Sequence, residues 1–136
     1  MAYNGYLVKV GTTKLPTKYI KASSYKATPN QRQDLDSYRN GAGVLQRNVL
    51  EHTASKVEFN TIPMKNDDMA EFMELIRSNY TSEKERKLSL DYYCPDTDSY
   101  KSGNFYVPDI PFPIDRVDDT NNIIWYDSTT IKFIEY

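Results

Sequence analysis

Cysteine is nearly missing from this chain. Cys94 stands alone, so no disulfide can form within the chain. That fits a protein made in a reducing compartment, or one indifferent to redox conditions. Histidine is equally scarce: His52 is the only one. Charge of one sign is also lacking. Seventeen basic and nineteen acidic residues are mixed along the chain and leave a net charge of −2. That argues against a basic nucleic-acid footprint, which is clustered and strongly positive. No apolar run approaches the roughly 20 residues of a membrane span. Nor does the N-terminus carry a charged stretch followed by an apolar one, so the expectation is a protein that is cytosolic when made.

Chemical signatures are thin as well. A nucleophile needs a base beside it. Cys94 precedes Pro95 in a turn-like stretch, and no signature surrounds it. Asp96-x-Asp98 opens like a calcium loop. The later ligand, glycine and glutamate places of such a loop hold Tyr100, Lys101 and Val107, so the stretch reads as a solvated turn. Asp118-Asp119 is no stronger as a metal site. Asn79-Tyr80-Thr81 matches a glycosylation acceptor without a secretion signal to support it. Lys84-Glu85-Arg86-Lys87 alternates in sign and reads as a solvated loop. The sequence therefore predicts no catalytic residue, no cofactor and no metal.

What the chain does hold is tyrosine, twelve of them. Tyrosine suits half-buried strand positions and is enriched at protein–protein interfaces. Strand patterns dominate. Val8 and Val10, with Tyr6, fall on one face of a first strand over Gly5 to Val10. A polar strand is expected over Thr17 to Thr28. Val57 and Phe59 alternate with Lys56, Glu58 and Asn60, and Leu88, Leu90 and Tyr92 alternate over Arg86 to Tyr93. A strand is expected at Asn104–Asp109, and Ile123–Asp127 with Thr129–Tyr136 forms a last pair. Pro108, Pro111 and Pro113 confine their stretch to an edge or bend.

One helix interrupts the strands. Met69, Phe72, Met73, Ile76 and Tyr80 recur at helical spacing over Asn66–Tyr80. Asn66 is expected as its N-cap, and Asp67 and Asp68 favour the positive end of the helix dipole. There is no second helix for a parallel unit. The fold class that follows is mainly β: an antiparallel β-sandwich or barrel of about eight strands with one flanking α-helix. At 136 residues the chain is about one domain.

Pro29 to Thr53 breaks the pattern. It is long and polar, with Asn40-Gly41-Ala42-Gly43 as a turn signal between two short arms. Loops beyond about 12–15 residues in compact domains are usually functional or disordered. The stretch 29–53 is expected to be a projecting hairpin.

The same stretch and its surroundings carry a resemblance. Thr17-Lys18-Tyr19-Ile20, the run from Thr28 to Arg39, and Gly43 to Leu50 resemble a family of small tail-region proteins of tailed bacteriophages and prophages. Glu85 to Leu88, Asp91-Tyr92-Tyr93, Phe105 to Asp109 and Ile131–Tyr136 are similar too. These motifs are structural and specify membership better than mechanism. The order of elements is also similar to the tail-tube fold of tube, distal-tail and tail-completion proteins. This resemblance implies a subunit of the virion tail, assembled in the host cytoplasm. Its implied partners are further copies of itself, in a hexameric ring, and other tail proteins.

A hairpin of this kind would reach a neighbouring subunit. Arg32, Asp34, Asp36, Arg39 and Arg47 would supply its charges, and Tyr38 and Leu45 its apolar anchors. The alternative from the composition is a monomeric, tyrosine-rich binding module that recognises a protein or glycan.

Overall fold

The computed structural model describes residues 3–32 and 37–136. In chain order the elements are β1 (Val8–Val10), β2 (Thr13–Lys14), β3 (Lys26–Gln31), β4 (Tyr38–Arg39), β5 (Leu45–Gln46), β6 (Ala54–Asn60) and β7 (Met64–Lys65). Then follow α1 (Asn66–Arg77), β8 (Lys87–Cys94), β9 (Ser99–Tyr106), β10 (Ile114–Asp118), β11 (Ile123–Tyr126) and β12 (Thr130–Glu135). The fold is mainly β, with antiparallel sheets and one α-helix among the described residues.

The main sheet has seven strands in the order β2-β1-β8-β9-β12-β6-β3. β10-β11-β7 form a second sheet, and β4-β5 a third of two strands. The sheets are open, so the barrel form of the expected architecture is not adopted. Period-two alternation decides which face of the main sheet is inside. Val57, Phe59, Leu88, Leu90, Tyr92, Phe105, Ile131 and Phe133 all turn to one side and are buried.

Against that face lies α1. Met69, Phe72, Met73 and Ile76 are its buried stripe. The ring of Phe72 meets Tyr19 edge-on at 5.9 Å and Phe59 at 6.4 Å. The helix stops at Arg77, one turn short of Tyr80, which is half-buried just beyond it. Asn66 does not cap the helix. Lys65 holds that position, and Asn66 Oδ1 instead accepts the Ile124 N–H at 3.3 Å, tying α1 to β11.

Three other expectations are corrected. Thr17 to Thr28 is not one strand: two 3-10 turns, Thr17–Tyr19 and Ala22–Ser24, precede β3. Tyr19 and Ile20 are both buried, which a strand's alternation forbids and a turn allows. Second, β11 and β12 do not pair with each other. Ser128 Oγ donates to the Thr61 carbonyl at 2.6 Å, and the Thr129 N–H donates to Thr61 Oγ1 at 3.1 Å. These bonds carry the chain from one sheet into the other instead of turning it back. Third, the strand expected at Asn104–Asp109 lies earlier, at β9, and pairs along its whole length with β8.

Gly11 shows why glycine is needed at one turn. Its φ is +57°, and a Cβ there would sit 2.5 Å from Asn79 Oδ1. That asparagine donates to Thr13 Oγ1 and to the Leu75 carbonyl, so the turn after β1 closes onto the end of α1.

Candidate assembly surfaces

The hairpin β4–β5 stands apart from both larger sheets. Its turn is built by Asn40, whose Oδ1 accepts the N–H groups of Ala42 and Val44 at 3.0 and 3.1 Å. The Gly43 N–H donates to the Asn40 carbonyl, and Gly43 takes φ +81°, a left-handed conformation glycine adopts without cost. Arg39 Nη1 donates to the Gly43 carbonyl at 2.9 Å and braces the same turn. At the base, Arg32 Nη1 donates to the Glu51 carbonyl at 2.9 Å.

Those two arginines were expected to face a neighbour. They are exposed, yet each spends a donor on its own hairpin's backbone. Arg47 is exposed too. Asp34 and Asp36 lie outside the described residues. Tyr38 and Leu45, the expected anchors, are 62% and 44% exposed, and Val44 joins them at 55%. The first residues of the polar stretch behave differently. Pro29 to Gln31 belong to β3, at an edge of the main sheet where proline's missing N–H does no harm.

A groove runs along α1, from the β10–β11 turn to the segment 108–112. It comprises three clefts in succession. The first, about 250 Å³, holds Val117, Asp118, Asp119 and Ile124 beside Asn66. The second, about 220 Å³, continues from Asn66 past Met69 and Met73 to Phe112 and Tyr126. The third, about 320 Å³, shares Met73, Arg77 and Phe112 with it and ends at Tyr80, Arg86 and Ile110.

Strand β10, which contributes Val117 and Asp118 to the first cleft, is irregular. The register with β11 slips between Ile114 and Arg116, so that Ile114 faces Tyr126 and Val117 faces Ile124. One extra residue in the strand thus brings Ile114 and Val117, three apart in sequence, to the same face. Both are exposed, at 56% and 57%, and Val117 lines the first cleft. On the other face Trp125 is held between two cations, with Arg116 4.7 Å and Lys65 5.2 Å from its ring. The β10–β11 turn is fixed by Asp118, which accepts hydrogen bonds from the Thr120 and Asn121 N–H groups and from Asn121 Nδ2. The Asn121 bonds are the main cause that holds the Asp118 carboxyl below its ordinary pKa. No local pattern marks Ile114 and Val117 as sharing a face, because the register slip that aligns them is set by pairing with β11.

A third feature is a chain of tyrosine rings at the β8–β9 hairpin. Tyr6 stacks on Tyr100 at 4.6 Å, Tyr100 meets Tyr93 at 5.8 Å, and Tyr93 meets Tyr3 at 6.0 Å. Tyr93 and Tyr100 are cross-strand partners, which puts their rings together. Tyr93 also donates to Asp98 at 2.7 Å, and Asp98 sits at φ +47° in the turn. The Asp96-x-Asp98 stretch is therefore a structural turn.

The residues considered for chemistry lie apart in kind. Cys94 is fully buried as the last residue of β8 rather than in a turn, whereas His52 is exposed beyond the hairpin. Among the described residues no three His, Cys, Asp or Glu side chains are placed to hold a metal ion. No described helix is long and apolar enough to cross a membrane.

A model described as a family of unknown function, DUF6711, matches residues 1–136. The chain belongs to that family. No curated protein and no solved structure matches it. The DUF6711 model spans both surfaces, hairpin and groove, so family membership covers all of the elements described above.

Proposed function

We propose that this protein is a structural, non-enzymatic component of a bacteriophage tail. It is a tail-tube, tube-proximal or distal-tail subunit that self-assembles into rings. The hairpin β4–β5 carries the reading. Two strands of two residues each are marginal in water, and their apolar side chains are exposed. Such an element gains stability when a neighbour covers it. Open sheet edges add to the case, since unpaired edges invite pairing and a head-to-tail ring satisfies them by closure. The resemblance of the polar stretch and the later strands to phage tail-region proteins supports reading that assembly as part of a tail. A mildly negative net charge suits a lumen through which DNA slides without sticking.

Sedimentation and electron microscopy of purified protein test this. Symmetric, concentration-dependent oligomers, hexamers among them, are expected. A strict monomer at every concentration overturns the reading. It would favour a second one, a binding module that uses the tyrosine chain from Tyr3 to Tyr6 to grip a protein or glycan, because stacked, half-wet rings suit such contacts.

A further inference from the structure

We infer that the outward face of β3, β6 and β12, with the cleft at its end, is a sequence-independent contact for the phosphate backbone of duplex DNA. The inference goes beyond the ring-forming reading and does not depend on it.

Lysines far apart in the chain meet on this face. The alternation that buries Val57 and Phe59 turns Lys56, Glu58 and Asn60 outward. Strand register then sets Lys26 on one side of Glu58 and Lys132 on the other. Beside Lys26 and Glu58 opens a cleft of about 430 Å³, which Lys21, Ser23, Asn60 and Thr130 also line. The Lys21 N–H donates to the Asn60 carbonyl at 2.9 Å and so fixes Lys21 at its edge.

Four lysines thus share one carboxylate. Lys56 Nζ lies 3.9 Å from Glu58 Oε2. Lys21, Lys26 and Lys132 are exposed and form no ion pair among the described residues. The other acid of β12, Glu135, turns to the inner face, where its Oε1 accepts the Ser55 N–H at 2.9 Å. The chain's net charge of −2 hides this surface, because its lysines stand at 21, 26, 56 and 132 and gather only through strand pairing.

Gathered charge of one sign creates a local potential that a polyanion offsets. The chemistry of the face favours phosphate over a protein partner. Protein interfaces centre on aromatic and other apolar side chains and are poor in lysine. Here the outward positions hold one large apolar side chain, Ile134. Phosphate contacts instead use lysine, hydroxyl and amide donors. Ser23 and Thr28 are exposed hydroxyls. Thr130 Oγ1 donates to Asn60 Oδ1 at 2.6 Å, which leaves Asn60 Nδ2 as a donor in the cleft. Lys26 and Lys132 are two strand spacings apart, about 10 Å. That is the reach of about three phosphates along one DNA strand. A row of lysines on a sheet meets phosphates rather than base edges, so the contact carries no sequence information. It is weak and salt-sensitive, which permits sliding.

The test is fluorescence anisotropy of a labelled short DNA duplex with the full-length protein over a range of salt. Four lysines predict a slope of log affinity on log salt of about −3 to −4, a loss of about a hundredfold between about 50 and 200 mM. Lys26→Gln and Lys132→Gln change exposed side chains, leave the fold intact and should each flatten the slope by about one. Lys9→Gln is the control. Lys9 lies on the same sheet but is paired with Asp91 at 3.8 Å, and its loss should leave the slope unchanged. No binding at low salt overturns the inference. So does a slope that is the same in Lys26→Gln, Lys132→Gln and the unaltered chain. Polyglutamate that competes as well as unlabelled duplex, charge for charge, overturns the assignment to phosphate. Sedimentation of the same samples reads self-association separately, so failure here leaves the ring reading standing.

Discussion

The phenol of Tyr25 donates a 2.6 Å hydrogen bond to the carbonyl of Tyr93. Tyr25 immediately precedes β3, the last strand of the main sheet, while Tyr93 is in β8, four strands away. At about 4.8 Å per strand a flat sheet would part them by about 19 Å. The sheet must therefore curl until its edge strand faces its own interior, and residues of β3 and β8 do approach within 8 Å, Cα to Cα. This bond is the clasp of an open sheet that almost closes.

Breaking the clasp should be measurable. Tyr25→Phe keeps the ring and deletes the donor, so a loss of about 1–2 kcal/mol is expected in urea unfolding. Burial, the largest cause, raises the Tyr25 pKa well above the usual 10.0. A raised folded value stabilises fully below the unfolded pKa and is lost as pH rises toward the folded one. Unaltered protein should thus lose stability progressively above about pH 10. Tyr25→Phe should lose less over the same range. Parallel alkaline limbs for the two proteins would refute the clasp.

The helix makes a second prediction. Phe72 is fully buried between Tyr19 and Phe59. Phe72→Ala is expected to cost about 3–5 kcal/mol, transfer and cavity together. A loss below about 1 kcal/mol would mean that α1 does not pack on the sheet as described.

The stripe of α1 and the alternation of β6 and β8 were legible in the sequence because each is a local period. Tyr19 and Ile20 were not, since a turn buries consecutive residues and erases the period. Nor was the partner of β11. That choice depends on Thr61, a residue more than sixty positions away from Ser128 and Thr129 in the chain. The hairpin was legible through Asn40 and the glycines. The common face of Ile114 and Val117 was not, because it arises only through the slip in register opposite β11. Non-local pairing of this kind leaves no local trace.

Cys94 and His52 separate structure from chemistry. His52 is exposed, and His52→Ala should leave folding and assembly unchanged. Cys94 is fully buried, so Cys94→Ser places a hydroxyl in the core and should cost about 1–3 kcal/mol. Cys94→Ala carries no such polar cost. On the proposed tail reading, particles bearing His52→Ala that assembled normal tails and yet failed to infect would assign that histidine a chemical role.

The last prediction concerns the hairpin in its free and assembled states. Its ladder is two residues long on each side, and every side chain from Tyr38 to Leu50 is exposed. A hairpin of that size buries too little to offset the entropy of ordering it. Amide hydrogens of β4 and β5 should therefore exchange rapidly in the monomer. Asn40 and Arg39 hold the turn locally, so the Gly43 and Val44 amides should be the slowest of the set. On assembly, a neighbour that covers Tyr38, Val44 and Leu45 removes water from both strands, and protection should spread from the turn to Tyr38–Gln46. A self-packed surface hairpin makes the opposite forecast, with the same modest protection in both states. Hydrogen exchange on dilute monomer and on isolated oligomer distinguishes them. Equal rates across Tyr38–Gln46 in the two samples would remove the hairpin from the interface.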